Sequence, residues 1–272
     1  LARILASSRW PWLKNVLIRY FINRYDVKME EAENSDPFAY PSFNAFFTRA
    51  LKTTVRPTIP TEEQLAVSPV DGKISQVGRL ENGQIIQAKG HQYLAKDLLG
   101  GFEEDAEPFR HGQFTTLYLA PTDYHRVHIP LSGTLSKMTY VPGKLFSVNP
   151  MTVAKVPQLF ARNERVVCLF DTDFGKMAVV LVGAMIVGSM ETTWSGLVVP
   201  NKFKRVETWD YTQHRKERGF IHFNRGEEIG KFLLGSTVIV LFENHHYEWQ
   251  YMCGIAYCDF HYCGDHHQLT LQ

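Results

Sequence analysis

The 272 residues carry a formal net charge of +1, with 44% hydrophobic and 21% charged residues. Such a chain is globular rather than disordered, and long enough for one large domain with an appendage. The balanced charge provides no basic field, which disfavours nucleic acid as a partner, and four cysteines are too few for a disulfide framework at this size.

Residues 1–25 hold Arg3, Arg9, Lys14, Arg19 and Arg24 but no acid, together with Trp10, Trp12, Leu13, Val16, Leu17, Tyr20 and Phe21. Pro11 suits a first helical turn. The segment predicts a helix of at most about 20 residues, apolar around much of its circumference and basic elsewhere. Two readings stand side by side. The helix packs on the core, or it lies in a membrane interface, where tryptophans anchor and cations meet anionic headgroups. Acids return at Asp26 and close the segment. A second short helix is predicted from Ser42 to Leu51, with Phe43, Phe46 and Phe47 on its apolar side. Residues 1–51 thus read as an N-terminal helical unit. Residues 52–63, with Pro57 and Pro60, read as a linker.

From residue 64 the texture changes to short alternating apolar runs separated by glycine and proline. Phe114–Leu119, Val166–Phe170, Met177–Val182 and Thr237–Phe242 are strand-like. Helices are predicted at Tyr93–Leu99 and near Pro157–Arg162. The longest apolar run, Met177–Val187, is too short to cross about 30 Å of hydrocarbon and reads as a buried strand. The fold class is therefore α+β: a β-rich body over 64–242 with an appended N-terminal helical segment. The tail, 243–272, carries five of the 11 histidines and three of the four cysteines and has no clear periodicity.

Three places can carry chemistry. Asp123-Tyr124-His125-Arg126-Val127-His128 is the densest polar cluster of the body. In an extended chain His125 and His128 would point to opposite faces, whereas a turn would let both line one pocket. No third zinc ligand lies nearby, and hydrogen-bonded surface histidines are the plain alternative. Ser68-Pro69-Val70-Asp71-Gly72 reads by itself as a hairpin turn. Leu233-Leu234-Gly235-Ser236-Thr237-Val238 reads as a turn before a strand. Glycine also permits torsions closed to other residues, so the Gly235 carbonyl can be brought near the Ser236 hydroxyl. Together the three places offer a carboxylate, an imidazole and a hydroxyl, the roles of a catalytic triad. A Ser-His-Asp hydrolase would use the same residues, but no Gly-x-Ser-x-Gly elbow surrounds Ser236.

The motifs as an ordered set are far more specific than any one of them. Pro69-Val70-Asp71-Gly72-Lys73-Ile74, Ala88-Lys89-Gly90-His91, Asp123 through His128, Val141-Pro142-Gly143, Phe146-Ser147-Val148-Asn149, Phe160 through Arg165, and Phe232 through Thr237 occur in the order of one known family. The sequence resembles the phosphatidylserine decarboxylase family in its bacterial form. The resemblance implies a proenzyme that cleaves itself between Gly235 and Ser236 and turns Ser236 into a pyruvoyl group. That group, the implied cofactor, would form a Schiff base with phosphatidylserine and release carbon dioxide to give phosphatidylethanolamine. It implies His128 as base and Asp71 as its orienting partner. His125 would hold the carboxylate or supply the proton, with His91 and Phe146 in the substrate pocket. No metal is implied. It further implies a large and a small chain, a homodimer, and peripheral attachment to the cytoplasmic face of the bacterial inner membrane. By eye the resemblance ends at Phe242. Cys253, Cys258 and Cys263, with His261, His266 and His267, do not form a standard zinc spacing.

Overall fold

The computed structural model describes residues 5–56, 65–184, 189–199, 204–212, 219–233, 236–243, 247–251 and 258–262. Helix α1 spans Pro11–Tyr25 with Pro11 in its first turn and ends at Asp26, whose φ of 49° breaks the helix. Helix α2 is shorter than the sequence predicts. It covers Phe43–Phe47, with the Ser42 hydroxyl accepting from the Ala45 amide at 3.2 Å as its cap.

The body begins with β1 (Lys73–Arg79), β2 (Gln84–Ala88), β3 (His91–Leu94), β4 (Gln113–Leu119), β5 (Arg126–His128) and β6 (Gly133–Val141). It continues with β7 (Arg165–Thr172), β8 (Gly175–Val182), β9 (Met190–Thr192), β10 (Gly196–Val199), β11 (Glu207–Asp210) and β12 (His222–Phe223). The last strands are β13 (Glu228–Phe232), β14 (Ser236–Phe242), β15 (Tyr247–Tyr251) and β16 (Cys258–Tyr262). The predicted helix at Tyr93–Leu99 is divided: its first residues complete the β2–β3 hairpin, and only Ala95–Leu98 is helical.

An eight-stranded sheet runs β1-β4-β14-β8-β7-β6-β11, with β12 also on β6, and every pair is antiparallel. Its strands alternate in period two, so each face buries its own set of side chains. Leu117, Leu119, Cys168, Val179, Val238 and Val240 pack on one face with Met190, Val199 and Phe232 from the second sheet, ordered β10-β9-β13-β5. Val180, Val182, Ile239 and Leu241 pack on the other face beneath the β2–β3 hairpin and the short helices. Phe21, Phe43, Phe46 and Phe47 form a third, separate core for the N-terminal unit. The observed architecture is thus α+β with a β-rich body, as the periodicities predict. Among the described residues no helix is long and apolar enough to cross a membrane.

Candidate active site

Three chain segments converge at one end of the large sheet. Strand β14 opens at Ser236, whose register partner is Leu119, the last residue of β4. Gly72 lies against the same place. A Cβ built there would sit 2.5 Å from the Tyr118 carbonyl oxygen and 3.7 Å from the Leu119 Cα. Only glycine permits that approach, and it brings Asp71 beside the strand end. In isolation Asp71-Gly72 looked like a hairpin turn; in the fold it leads into β1.

The chain leaving β4 turns through Ala120–Tyr124, where the Asp123 carboxylate accepts from the Ala120 amide at 2.7 Å. It returns as β5, which pairs with β13. The His128 amide donates to the Pro69 carbonyl at 2.8 Å, and the Phe232 amide to the His125 carbonyl at 2.9 Å. These bonds tie the histidine strand to the Asp71 segment on one side and to the strand before Gly235-Ser236 on the other. Leu234, Gly235 and the Ser236 side chain lie outside the described residues, so Ser236 is placed by its backbone.

The two histidines have different surroundings. His128 Nδ1 lies 2.8 Å from the Gly226 carbonyl, and Nε2 lies 3.2 Å from the Tyr124 hydroxyl. A carbonyl only accepts, so Nδ1 carries the proton and Nε2 presents its lone pair. The Tyr124 ring stacks on the imidazole at 5.6 Å. Burial lowers the His128 pKa, with the Gly226 bond and the charges of Glu228 and Asp71 opposing it. The ring therefore stays a neutral base at neutral pH.

His125 is fully buried, against Phe47 at 4.1 Å between ring centroids. Its Nδ1 lies 2.7 Å from the Asp123 carbonyl, and its buried Nε2 has no partner. Burial lowers its pKa to about 3. Holding a carboxylate would need a second ring proton, which this environment opposes. Its free Nε2 lone pair can accept a hydrogen bond from a neutral donor.

Asp71 does not form the hydrogen bond to His128 that its expected orienting role would require. Its carboxylate is gripped by Arg56, Nε to Oδ1 at 3.1 Å and Nη2 to Oδ2, and Arg56 also reaches Glu31 at 3.5 Å. The Gly226 carbonyl orients the imidazole, and Asp71 acts on it through charge. Sequence reasoning missed Gly226, Arg56 and the part played by Tyr124. Tyr124 lay inside the quoted motif, whereas Arg56 sat in a segment read as linker.

Phe146 is half-buried, its amide and carbonyl held by Asn163 at 3.0 and 2.9 Å. Asn163 also donates to Gly183, one residue beyond Val182, the register partner of Thr237. The Phe146 loop thus flanks the sheet end where Ser236 begins. His91 lies half-buried in the β2–β3 hairpin, and no hydrogen bond among the described residues joins it to the other site residues. Among the described residues no cluster of metal-ligating side chains occurs. Cys253, Cys263, His266 and His267 lie outside them.

The profile of a family described as phosphatidylserine decarboxylase matches residues 43–254, and a second, described as PSD, matches residues 1–26. The match therefore runs past Phe242, where the resemblance seemed to end by eye. The phosphatidylserine decarboxylase proenzyme of Marinobacter nauticus is 55% identical over 248 residues, which span 91% of this chain and 85% of that protein. The proenzyme of Stutzerimonas stutzeri is 54% identical over 254 residues, 93% of this chain and 84% of that protein. That of Bordetella pertussis is 56% identical over 245 residues, 90% of this chain and 81% of that protein.

Proposed function

The chain belongs to the phosphatidylserine decarboxylase family, and we propose that it is a proenzyme that cuts itself between Gly235 and Ser236 and then decarboxylates phosphatidylserine. The observation that carries this reading is the pairing of Ser236 with Leu119, beside the Gly72 contact that delivers Asp71 and within the bonds that hold His128.

His128 Nε2 takes the Ser236 hydroxyl proton once the Tyr124 hydroxyl releases that lone pair. The serine oxygen bonds to the Gly235 carbonyl carbon, the peptide C–N bond breaks, and the freed amine takes a proton, leaving an ester. Removal of the Cα proton of residue 236 expels the Gly235 carboxylate and leaves a dehydroalanine. Water hydrolyses it with loss of ammonia to the pyruvoyl group. The negative charge of Asp71 stabilises the imidazolium formed on the way, and Arg56 holds that carboxylate in place.

The residues present fit such a group: the new N-terminus would form at the start of β14, paired with Leu119, and His125, whose carbonyl accepts from Phe232 on the strand before it, keeps a buried Nε2 without a partner. The pyruvoyl group supplies a carbonyl that condenses with an amine and accepts the electron pair left by departing carbon dioxide. His125, neutral and buried, accepts a hydrogen bond at Nε2 in this pocket. Phe146 flanks the same sheet end and excludes water.

Helix α1 lies in the membrane interface in this reading. Trp10 just before it and Trp12, Val16 and Tyr20 on it are exposed, and Arg24 occupies its last turn. Peripheral attachment to the cytoplasmic face of the inner membrane brings the lipid substrate to the site. The test is release of carbon dioxide from carboxyl-labelled phosphatidylserine. The parent protein should release it and Ser236→Ala should not; equal release by both would sink the proposal.

A further inference from the structure

The joint between the N-terminal unit and the body contains three guanidinium groups, and they are not equally satisfied. Arg56 holds Asp71 and Glu31. Arg126 pairs with Glu228 at 2.8 Å and donates to the Thr48 carbonyl at 3.0 Å. Arg49 is the most buried of the three, with 7% of its surface exposed. Its side chain enters no hydrogen bond or ion pair among the described residues, and its Nε is a buried donor without a partner. The Phe46 ring lies 5.5 Å from its guanidinium carbon.

A buried guanidinium without a counter-ion carries a desolvation penalty that hydrogen-bonded anions normally offset. Tyr40, Glu31 and Asp71 lie near enough to act on Arg49 electrostatically, yet the Tyr40 hydroxyl donates to the Asn34 carbonyl and Arg56 already holds both carboxylates. The Arg49 charge also acts on His125, and Phe47, two residues before Arg49, packs on that imidazole. An unpaired cation therefore stands at the edge of the candidate active site, on the side of the N-terminal unit.

We infer that Arg49 is the anchor for the phosphodiester of the lipid substrate. The inference rests on the decarboxylase reading above. Two anions of phosphatidylserine compete for the assignment, and the chemistry separates them. The carboxylate loses its charge as carbon dioxide departs. A guanidinium paired with it would stabilise the ground state more than the transition state and slow the reaction. The phosphodiester keeps its charge throughout, and two of its oxygens match the planar donor fork of arginine. Binding it holds ground state and transition state equally, so the contact appears in KM and not in kcat.

The experiment uses processed full-length enzyme and a short-chain phosphatidylserine. Arg49→Gln should raise KM by about 10- to 100-fold, as expected for a lost charge-assisted contact, with kcat close to the parental value. Arg49→Lys should recover part of the loss. Glycerol 3-phosphate, which has a phosphate and no carboxylate, should compete with substrate in the parent, whereas propionate should not. An unchanged KM in Arg49→Gln, a fall in kcat alone, or competition by propionate but not glycerol 3-phosphate would each overturn the assignment. Calorimetry of glycerol 3-phosphate on full-length Ser236→Ala protein, with and without Arg49→Gln, tests the anchor independently of turnover. Loss of binding in the double variant supports it, and no binding to Ser236→Ala itself overturns it. A parent that binds glycerol 3-phosphate through Arg49 but releases no carbon dioxide would overturn the decarboxylase reading and the lipid assignment, while leaving the anion site itself established.

Discussion

The N-terminal unit and the β-rich body treat their apolar residues in opposite ways. In β14 every residue from Val238 to Phe242 is at most 2% exposed. In and just before α1, Trp10, Trp12, Val16 and Tyr20 stand between 61% and 66% exposed, while the charged Lys14 is buried with its ammonium 2.6 Å from the Phe38 carbonyl. A strand that hides its apolar side chains completes a core. A helix that displays tryptophans next to cations fits the interfacial attachment proposed above. The two regions are nevertheless joined where the chemistry is proposed to occur. Phe47 packs on His125, Arg126 donates to the Thr48 carbonyl, and Arg56 grips Asp71.

Changes within the β-body's reactive corner should have the largest effects. Ser236→Ala and His128→Ala should both leave an uncut chain, with self-cleavage slowed by at least about 100-fold, the usual worth of a positioned acid–base group. Denaturing electrophoresis reads this directly, and a parental rate in His128→Ala would remove it as the base. Asp71→Asn should also leave the chain uncut, because it removes the charge that stabilises the imidazolium.

Next comes the joint. Arg56→Ala frees the Asp71 carboxylate and unties it from Glu31, and self-cleavage should slow by about 10-fold, within the range for a lost charge-assisted contact. Arg56→Lys should recover part of the rate. If Arg56→Ala cleaves normally, the two regions meet there without functional consequence.

A smaller effect is expected on the exposed face of α1. Replacing Trp10 and Trp12 together by alanine should weaken binding to anionic vesicles by about 10-fold or more, from the apolar area withdrawn from the interface. Unchanged affinity in a flotation assay would return the helix to a packing role alone.

A last effect concerns stability rather than rate or affinity, and it depends on pH. Burial depresses the folded-state pKa of His125 to about 3 from its ordinary value of 6.5. Below the unfolded value the unfolded chain takes up a proton that the folded chain refuses. The neutral imidazole's contribution is therefore complete above about pH 6.5 and is lost as pH falls toward 3, by up to about 1.4 kcal/mol per pH unit. Denaturant midpoints measured between pH 7 and 4 should fall more steeply for the parent than for His125→Asn.

The strands of the body were legible because Val, Ile and Phe recur in period two between glycines. Thr237–Phe242 and Met177–Val182 lie within strands of the central sheet. The helix expected at Tyr93–Leu99 misled because its first residues pair with β2, a non-local contact that local pattern does not encode. His128 stood out in its motif, yet the group that orients it is a backbone carbonyl, Gly226, which leaves no side-chain trace in a sequence. Asp71-Gly72 looked like an ordinary turn because the contact that requires glycine comes from Tyr118, far along the chain. Arg56 was lost in a proline- and threonine-containing stretch. Arg49 lay in the predicted Ser42–Leu51 helix with nothing to distinguish it from a surface cation, and only its burial without a partner marks it.

The central claim is that the Gly235–Ser236 bond does not survive in the mature protein. The mass of the purified protein under denaturing conditions tests it most directly. The account predicts two chains, one ending at Gly235 and one beginning at residue 236 with a pyruvoyl group in place of serine. A single full-length chain with Ser236 intact would contradict it.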